Sequence, residues 1–111
     1  MTRTPRFAAR VFTGRERAYC DSKGVASYQS YAGRFAAKEA FLKALKTGWR
    51  GKITWMDIEV ISDADGVPSL SIKNEAARLM EQMKATTIHI SISHTHDHAV
   101  AQVILENDRA I

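Results

Sequence analysis

A carboxylate flanked by two lysines is the feature of this 111-residue sequence with the clearest chemical potential. Glu39 lies in a segment with helical periodicity, close to the centre of its apolar face, and Lys38 and Lys43 stand on either side. A carboxylate buried on such a face needs a compensating partner. The face itself consists of Tyr28, Tyr31, Phe35 and Leu42.

The residues alone leave two interpretations of this cluster open. Glu39 and Lys43 have the spacing and order of a favourable ion pair on a helix surface, which is common and contributes only a few tenths of a kcal/mol. Alternatively, Glu39 binds a divalent cation while the lysines contact phosphate oxygens. Mg²⁺ in particular is usually held by one or two carboxylates together with substrate phosphates.

The segment from Phe35 to Ala44 resembles the central motif of the holo-acyl-carrier-protein synthases, which are small 4'-phosphopantetheinyl transferases. That motif reads Phe-(Ala/Ser)-x-Lys-Glu-Ala-x-x-Lys-Ala, and every fixed position is present. Further stretches resemble the same family in the same order and extend the resemblance to almost the whole chain. They are Arg6-Phe7 through Val11-Phe12-Thr13 to Tyr19-Cys20, Trp55 to Val60 leading to Gly66-Val67-Pro68, and Ile90-Ser91-Ile92-Ser93-His94.

The resemblance implies an enzyme of fatty acid biosynthesis that transfers the 4'-phosphopantetheine arm of coenzyme A to a serine of apo acyl carrier protein. Adenosine 3',5'-bisphosphate is the other product, Mg²⁺ is the cofactor, and a trimer places active sites between protomers. The implied roles are Mg²⁺ binding and catalysis for Glu39, and phosphate contacts for Lys38 and Lys43, of which Lys43 is also catalytic. The general base stays open between Glu39 and a metal-bound water.

At the nucleotide end of coenzyme A, the resemblance implies that His94 contacts the phosphates and Pro68 lines the adenine region. Arg34, one residue before the central motif, is a further candidate for a phosphate contact. The cluster of His94, His96, Asp97 and His98 also offers zinc-type ligands, but no distant Cys or His group completes a tetrahedral set, with His89 as the one candidate. We therefore interpret His96 and His98 as solvated loop residues. The lone Cys20 is interpreted as a packed side chain.

The formal net charge of +4 indicates an anionic partner. Arg3, Arg6 and Arg10 share one helical face, and the resemblance implies that they bind the acidic acyl carrier protein; the alternative is a solvated charged face. Nucleic acid is not favoured, because the aromatic residues fit a core equally well. Without a long apolar run or a signal peptide, we expect a cytoplasmic protein that does not bind membranes.

Two departures from the family pattern stand out. The family begins with a strand carrying Gly-x-Asp, whose aspartate is a second Mg²⁺ ligand, whereas no aspartate precedes Asp21 here. We therefore interpret residues 1–111 as a single transferase domain without that strand. Because the aspartate is absent, the alternative is a non-catalytic relative that binds coenzyme A or carrier protein. Lys46-Thr47-Gly48 also replaces the usual Gly-Thr-Gly after the central motif, with Gly48 expected to end the helix.

Apolar periodicity predicts an α+β domain in which an antiparallel sheet packs against a long helix. In the strand from 52 to 61, Met56, Ile58 and Val60 share one face and Asp57 and Glu59 the other. Asn74 is expected to cap a second amphipathic helix containing Ala76, Leu79, Met80 and Met83. The remaining predicted elements are helices over 4–12, 14–20 and 27–45, a strand over 68–72, and a hairpin of strands 87–93 and 98–105 joined by a loop at 95–97.

Overall fold

The computed structural model describes residues 5–45, 52–95 and 97–107. Arg3, His96 and the predicted helix end at Lys46-Thr47-Gly48 lie outside these residues. None of the described helices is both long and apolar enough to cross a membrane. The elements are α1 (Pro5–Val11), α2 (Gly14–Asp21), a 3₁₀ turn (Gly24–Ala26), α3 (Ser27–Leu45), a second 3₁₀ turn (Trp55–Asp57), β1 (Ile58–Ser62), β2 (Pro68–Ile72), α4 (Asn74–Gln82), β3 (Thr87–His94) and β4 (Ala99–Glu106).

The predicted α+β class is confirmed, and α3 has the bounds that the periodicity indicates. The strands form two antiparallel hairpins instead of one continuous sheet, because β2 packs beside β3 without a ladder of hydrogen bonds in the described part of the chain. In the first hairpin Ile58 pairs with Ile72, and in the second Thr87 pairs with Glu106. The long helix packs mainly over the second hairpin.

Strict alternation in β3 produces the predicted half-buried strand. Ile88, Ile90 and Ile92 are partly buried, whereas His89 and Ser91 between them are exposed. The main core forms where the hairpins meet α3 and α4. Its buried members are Phe41, Leu42, Leu45, Ile53, Ile58 and Ala76.

The predicted strand over 52–61 is too long, because a 3₁₀ turn occupies its middle. The Asp57 carboxylate accepts hydrogen bonds from the Thr54 backbone N–H at 3.1 Å and from the Thr54 hydroxyl at 3.2 Å. These bonds close the turn, and the strand begins only at Ile58. The polar residues beside the apolar face are also buried, with Asp57 4% and Glu59 6% exposed.

Asn74 does not cap α4 as predicted. Lys73 occupies the N-cap position, and Asn74 is the first helical residue, with a positive φ of 54° that asparagine tolerates better than most residues. The Asn74 side-chain amide donates to Asp57 Oδ1 at 3.0 Å instead. Asn74 therefore joins the start of α4 to the turn before β1.

A buried ion pair connects α2, α3 and β1. Lys38 Nζ lies 2.8 Å from Glu16 Oε1, and both side chains are 0% exposed. The Lys38 ammonium also donates to the carbonyl oxygens of Val11 at 2.6 Å and Trp55 at 3.1 Å. The other Glu16 oxygen accepts from the Val60 N–H at 2.7 Å, so both charges are fully compensated by hydrogen bonds.

Removing one member of this pair should destabilise the chain strongly, because the other charge is then buried without its counter-ion. We expect Glu16→Gln or Lys38→Met to lower the free energy of unfolding by about 3–5 kcal/mol, measured by urea denaturation. Glu81→Gln, which changes an exposed carboxylate on α4, is the matched control and should leave it nearly unchanged. A loss no larger than that of the control would contradict a central role for the pair.

Candidate active site

The long helix does not bury Glu39 as its sequence suggests. Glu39 is exposed, as is Lys43, and the described part of the chain contains no ion pair between them. The apolar face predicted for this helix begins at Tyr28, but Tyr28 is 55% exposed. Tyr31 and Leu42 of the predicted face are buried, but the buried side of the helix also extends away from Glu39 and includes Ser30, Arg34, Ala37, Phe41 and Leu45.

Lys38 has a different role from the predicted phosphate contact. Its side chain is 0% exposed, and its three hydrogen bonds go to Glu16 and to two backbone carbonyls. Burial lowers the pKa of Lys38, while the charge of Glu16 opposes that shift. With all three donors used inside the protein, Lys38 has none left for a phosphate, and its role here is structural.

Three of the predicted ligand-binding residues line one cavity of about 90 Å³. Arg34 comes from α3, Pro68 begins β2, and His94 ends β3, so elements distant in the sequence converge there. Glu39 and Lys43 do not line this cavity. Its other lining residues are Tyr19, Ser30, Gly33, Ser62, Gly66 and Ile92.

The Arg34 side chain supplies the positive charge of this cavity. It is 5% exposed, and its Nη2 donates to Ser62 Oγ at 2.8 Å. Its Nε–H has no hydrogen-bond partner among the described residues. A buried guanidinium with a free donor beside a polar cavity is suited to an anionic ligand, above all a phosphate or carboxylate.

His94 reaches the cavity because α3 has a glycine opposite it. A Cβ placed at Gly33 would lie 2.5 Å from His94 Nε2 and 2.9 Å from Ile92 Cγ2. Any side chain at Gly33 would thus displace the imidazole from its position against the helix. The glycine lets the imidazole lie against the helix backbone near Arg34.

Tyr19 and Ser62 are cavity residues that sequence reasoning missed. The Arg34 guanidinium carbon lies 4.2 Å from the centre of the Tyr19 ring, and Lys23 Nζ lies 4.5 Å from it. Partial burial raises the pKa of Tyr19, but hydrogen bonds with Ser62 and Lys23 and the two nearby positive charges outweigh that effect and lower it. No local pattern marks either residue, because both are brought to the cavity by tertiary packing.

Glu39 is the candidate ligand for the implied Mg²⁺. Among the residues that the structure describes, no three His, Cys, Asp or Glu side chains group together as a metal site. One exposed carboxylate nevertheless fits the usual chemistry of Mg²⁺, which keeps several waters and takes its remaining oxygens from substrate phosphates. The donor set is therefore compatible with Mg²⁺ only if a ligand or another chain supplies further oxygens.

The basic helix α1 forms a second candidate surface. Arg6 and Arg10 are both exposed on it, whereas Arg3 lies outside the described residues. Arg10 borders an apolar pocket of about 480 Å³ together with Phe7 and Trp55. Cys20, at the end of the neighbouring α2, is 0% exposed and packs in the core as expected, and burial raises the pKa of its thiol.

The fold and the cavity define an α+β protein with a cationic site suited to phosphate groups. The sequence model of the 4'-phosphopantetheinyl transferase superfamily matches residues 1–103. A holo-[acyl-carrier-protein] synthase of Koribacter versatilis is 44% identical over 102 residues, which are 92% of this chain and 81% of the relative. A protein of the same name from Geobacter metallireducens is 45% identical over 104 residues, 94% of this chain and 82% of the relative.

A solved structure leads to the same family. The crystal structure of a holo-(acyl-carrier-protein) synthase from Bacillus anthracis in complex with CoA (3',5'-ADP) has a TM-score of 0.75 and 38% identity, and covers 93% of this chain and 82% of its own. The chain belongs to the 4'-phosphopantetheinyl transferase superfamily. The resemblance in the sequence is therefore confirmed.

We expect Gly33→Ala to push the His94 ring out of the cavity and to lower the free energy of unfolding by about 1–3 kcal/mol, near the lower end because the ring can rotate away. NMR signals of the His94 imidazole report the displacement of the ring, and urea denaturation measures the free energy of unfolding. Gly14→Ala is the control, since a Cβ there meets nothing within 4 Å. An unchanged His94 signal in Gly33→Ala would contradict the close packing.

Proposed function

We propose that this chain is a holo-[acyl-carrier-protein] synthase, which transfers the 4'-phosphopantetheine arm of coenzyme A to a serine of apo acyl carrier protein. Adenosine 3',5'-bisphosphate is released. The observation that carries this proposal is the cavity lined by the buried cation Arg34 and by His94 in a chain of this superfamily. The synthases of this name among its relatives, one of them solved with CoA (3',5'-ADP), favour transfer over binding alone.

The cavity suits the nucleotide end of coenzyme A. Arg34 offers a fixed positive charge and an Nε–H that is unpaired among the described residues, and the His94 imidazole lines the same cavity as a further hydrogen-bonding group. Pro68 lines the same cavity with a rigid apolar ring that can pack against the adenine. These contacts hold the phosphates in place, which is the main requirement of a phosphoryl transfer.

Glu39 and Lys43 act at the reacting diphosphate in this proposal. Both side chains are exposed on α3, one turn apart, so they are free to meet a ligand or a neighbouring protomer. Glu39 would hold Mg²⁺, which when bound supplies positive charge to the diphosphate oxygens. The positive charge of Lys43 would stabilise the negative charge that develops on the diphosphate oxygens. Such an exposed pair is consistent with a homotrimer whose active sites lie between protomers.

Acyl carrier protein would dock on the basic face of α1. Arg6 and Arg10 are exposed on one side of this helix, and carboxylates of an acidic partner would pair with them and accelerate association. Arg3 belongs to the same proposed surface by sequence spacing. The adjacent apolar pocket, with Phe7 and Trp55, provides uncharged surface next to these cations.

The proposal is tested by intact-mass spectrometry of apo acyl carrier protein incubated with this chain and coenzyme A, with and without Mg²⁺. A mass gain of one phosphopantetheine arm that requires the metal is the expected result. Binding of coenzyme A without any gain under either condition would favour the alternative, a relative that binds its ligands without turnover.

Glu39→Gln should lower the rate of transfer by about two orders of magnitude, since the amide keeps the size of the side chain and loses the charge that a cation requires. The rate is followed by the same mass measurement over time, at several Mg²⁺ concentrations. Glu81→Gln removes an exposed carboxylate from α4 and serves as the matched control. Undiminished transfer by Glu39→Gln would show that the metal assignment is wrong.

Arg10→Glu and Arg6→Glu should each raise the KM for acyl carrier protein about tenfold, with kcat nearly unchanged, because they reverse charge on the docking face only. Lys84→Glu makes the same change at an exposed lysine beyond α4 and should have little effect. Steady-state kinetics at two salt concentrations measure the difference. Equal KM values for the α1 variants and the control would place the docking face elsewhere.

A further inference from the structure

Tyr19 contacts two positively charged side chains and borders two cavities. Its ring centre is 4.2 Å from the Arg34 guanidinium carbon and 4.5 Å from Lys23 Nζ. Together with Arg34 and Ser62 it lines the cavity of about 90 Å³ and a neighbouring cavity of about 130 Å³, which Arg15 also borders. Because Tyr19 lines both cavities and contacts the Arg34 guanidinium, its ring can determine the direction in which the donors of Arg34 point.

The Arg34 guanidinium has few other restraints. Its one hydrogen bond within the described residues goes from Nη2 to Ser62 Oγ, and its Nε–H has no acceptor there. A planar guanidinium is attracted to the face of an aromatic ring, and the Arg34 guanidinium carbon lies over the Tyr19 ring at 4.2 Å from its centre. The ring of Tyr19 is therefore the contact that sets the orientation of the Arg34 donors.

Ser62 belongs to the same arrangement. It lines both cavities together with Tyr19 and accepts a hydrogen bond from Arg34 Nη2 at 2.8 Å. Residues of α2, α3 and β1 thus form one connected group around the guanidinium. Lys23 brings a second positive charge to the ring and raises the attraction of this region for an anion.

We propose that Tyr19 is a positioning residue, whose ring holds the Arg34 guanidinium so that its free donors face a phosphate group of the nucleotide end of coenzyme A. This inference rests on the proposed function, because it concerns the same ligand. It adds that the aromatic ring, more than the hydroxyl, determines the affinity of the cavity for phosphate.

Titration calorimetry with adenosine 3',5'-bisphosphate and the full chain tests the proposal. Tyr19→Leu removes the ring and should weaken binding about fivefold to thirtyfold. Tyr19→Phe keeps the ring and should bind within about twofold of the unmodified chain, since the cation–ring contact survives. Tyr28→Leu removes an exposed tyrosine of α3 that lines neither cavity and should change nothing.

Tyr19 also packs beside the buried cluster of Val11, Phe12, Cys20 and Tyr31, so a leucine there changes packing as well. Pentafluorophenylalanine at position 19 avoids this difficulty, because it keeps an aromatic ring but removes the negative electrostatic potential on the face of that ring. It should weaken binding as Tyr19→Leu does with an unchanged Tm. In kinetics, the KM for coenzyme A should rise while kcat changes less than about twofold.

The outcomes separate this inference from the function on which it rests. Affinity of the fluorinated variant equal to that of the unmodified chain would overturn the positioning role and leave the proposed function intact. An unmodified chain that binds no adenosine 3',5'-bisphosphate would overturn the positioning role, and the proposed function falls with it only if the mass measurement also shows no transfer. Weakened binding in Tyr19→Leu and the fluorinated variant, with Tyr19→Phe close to the unmodified chain, would establish it.

Discussion

The buried ion pair of Lys38 and Glu16 is the interaction on which the arrangement of the other elements depends. It joins α2 to α3, and its remaining hydrogen bonds reach the end of α1, the turn before β1 and β1 itself. Among these elements, α2, α3 and β1 carry the cavity residues Tyr19, Arg34 and Ser62, whereas α1 and the turn border the apolar pocket of the second candidate surface. Two buried charges are tolerated only when all their hydrogen bonds are made. Because these bonds come from several elements, the pair fixes the positions of those elements relative to one another.

This pair also divides the long helix between two tasks. The side of α3 that bears Lys38, Arg34 and Phe41 is buried against the rest of the protein, whereas Glu39 and Lys43 remain exposed. Adjacent residues in the Lys-Glu dipeptide thus face different environments, because successive helical side chains are rotated by about 100°. Lys38 stabilises the fold, and the exposed Glu39 is accessible to a ligand.

The sequence contained enough information for the class, for the bounds of α3 and for the pairing of β3 with β4, because these depend on local periodicity. It is misleading for Glu39, because the apolar face predicted for α3 coincides only in part with the side that the structure buries. The partner of Lys38 could not be derived from periodicity, because Glu16 lies 22 residues away. The Thr13-x-x-Glu16 capping box does identify the start of α2, but not the second use of that carboxylate. Stacking of Tyr19 on Arg34 likewise depends on helix packing that no local pattern encodes.

The Nε–H of Arg34, which has no acceptor among the described residues, has a consequence for the evolution of this sequence. A buried donor without an acceptor lowers the stability of the folded chain by about 1–3 kcal/mol, and a ligand that accepts from it restores that free energy. Random substitutions that supply a permanent protein acceptor would therefore be favoured by selection for stability alone. Each of them would compete with the ligand for the same donor. The cavity can persist only where selection for binding outweighs selection for a more stable empty protein.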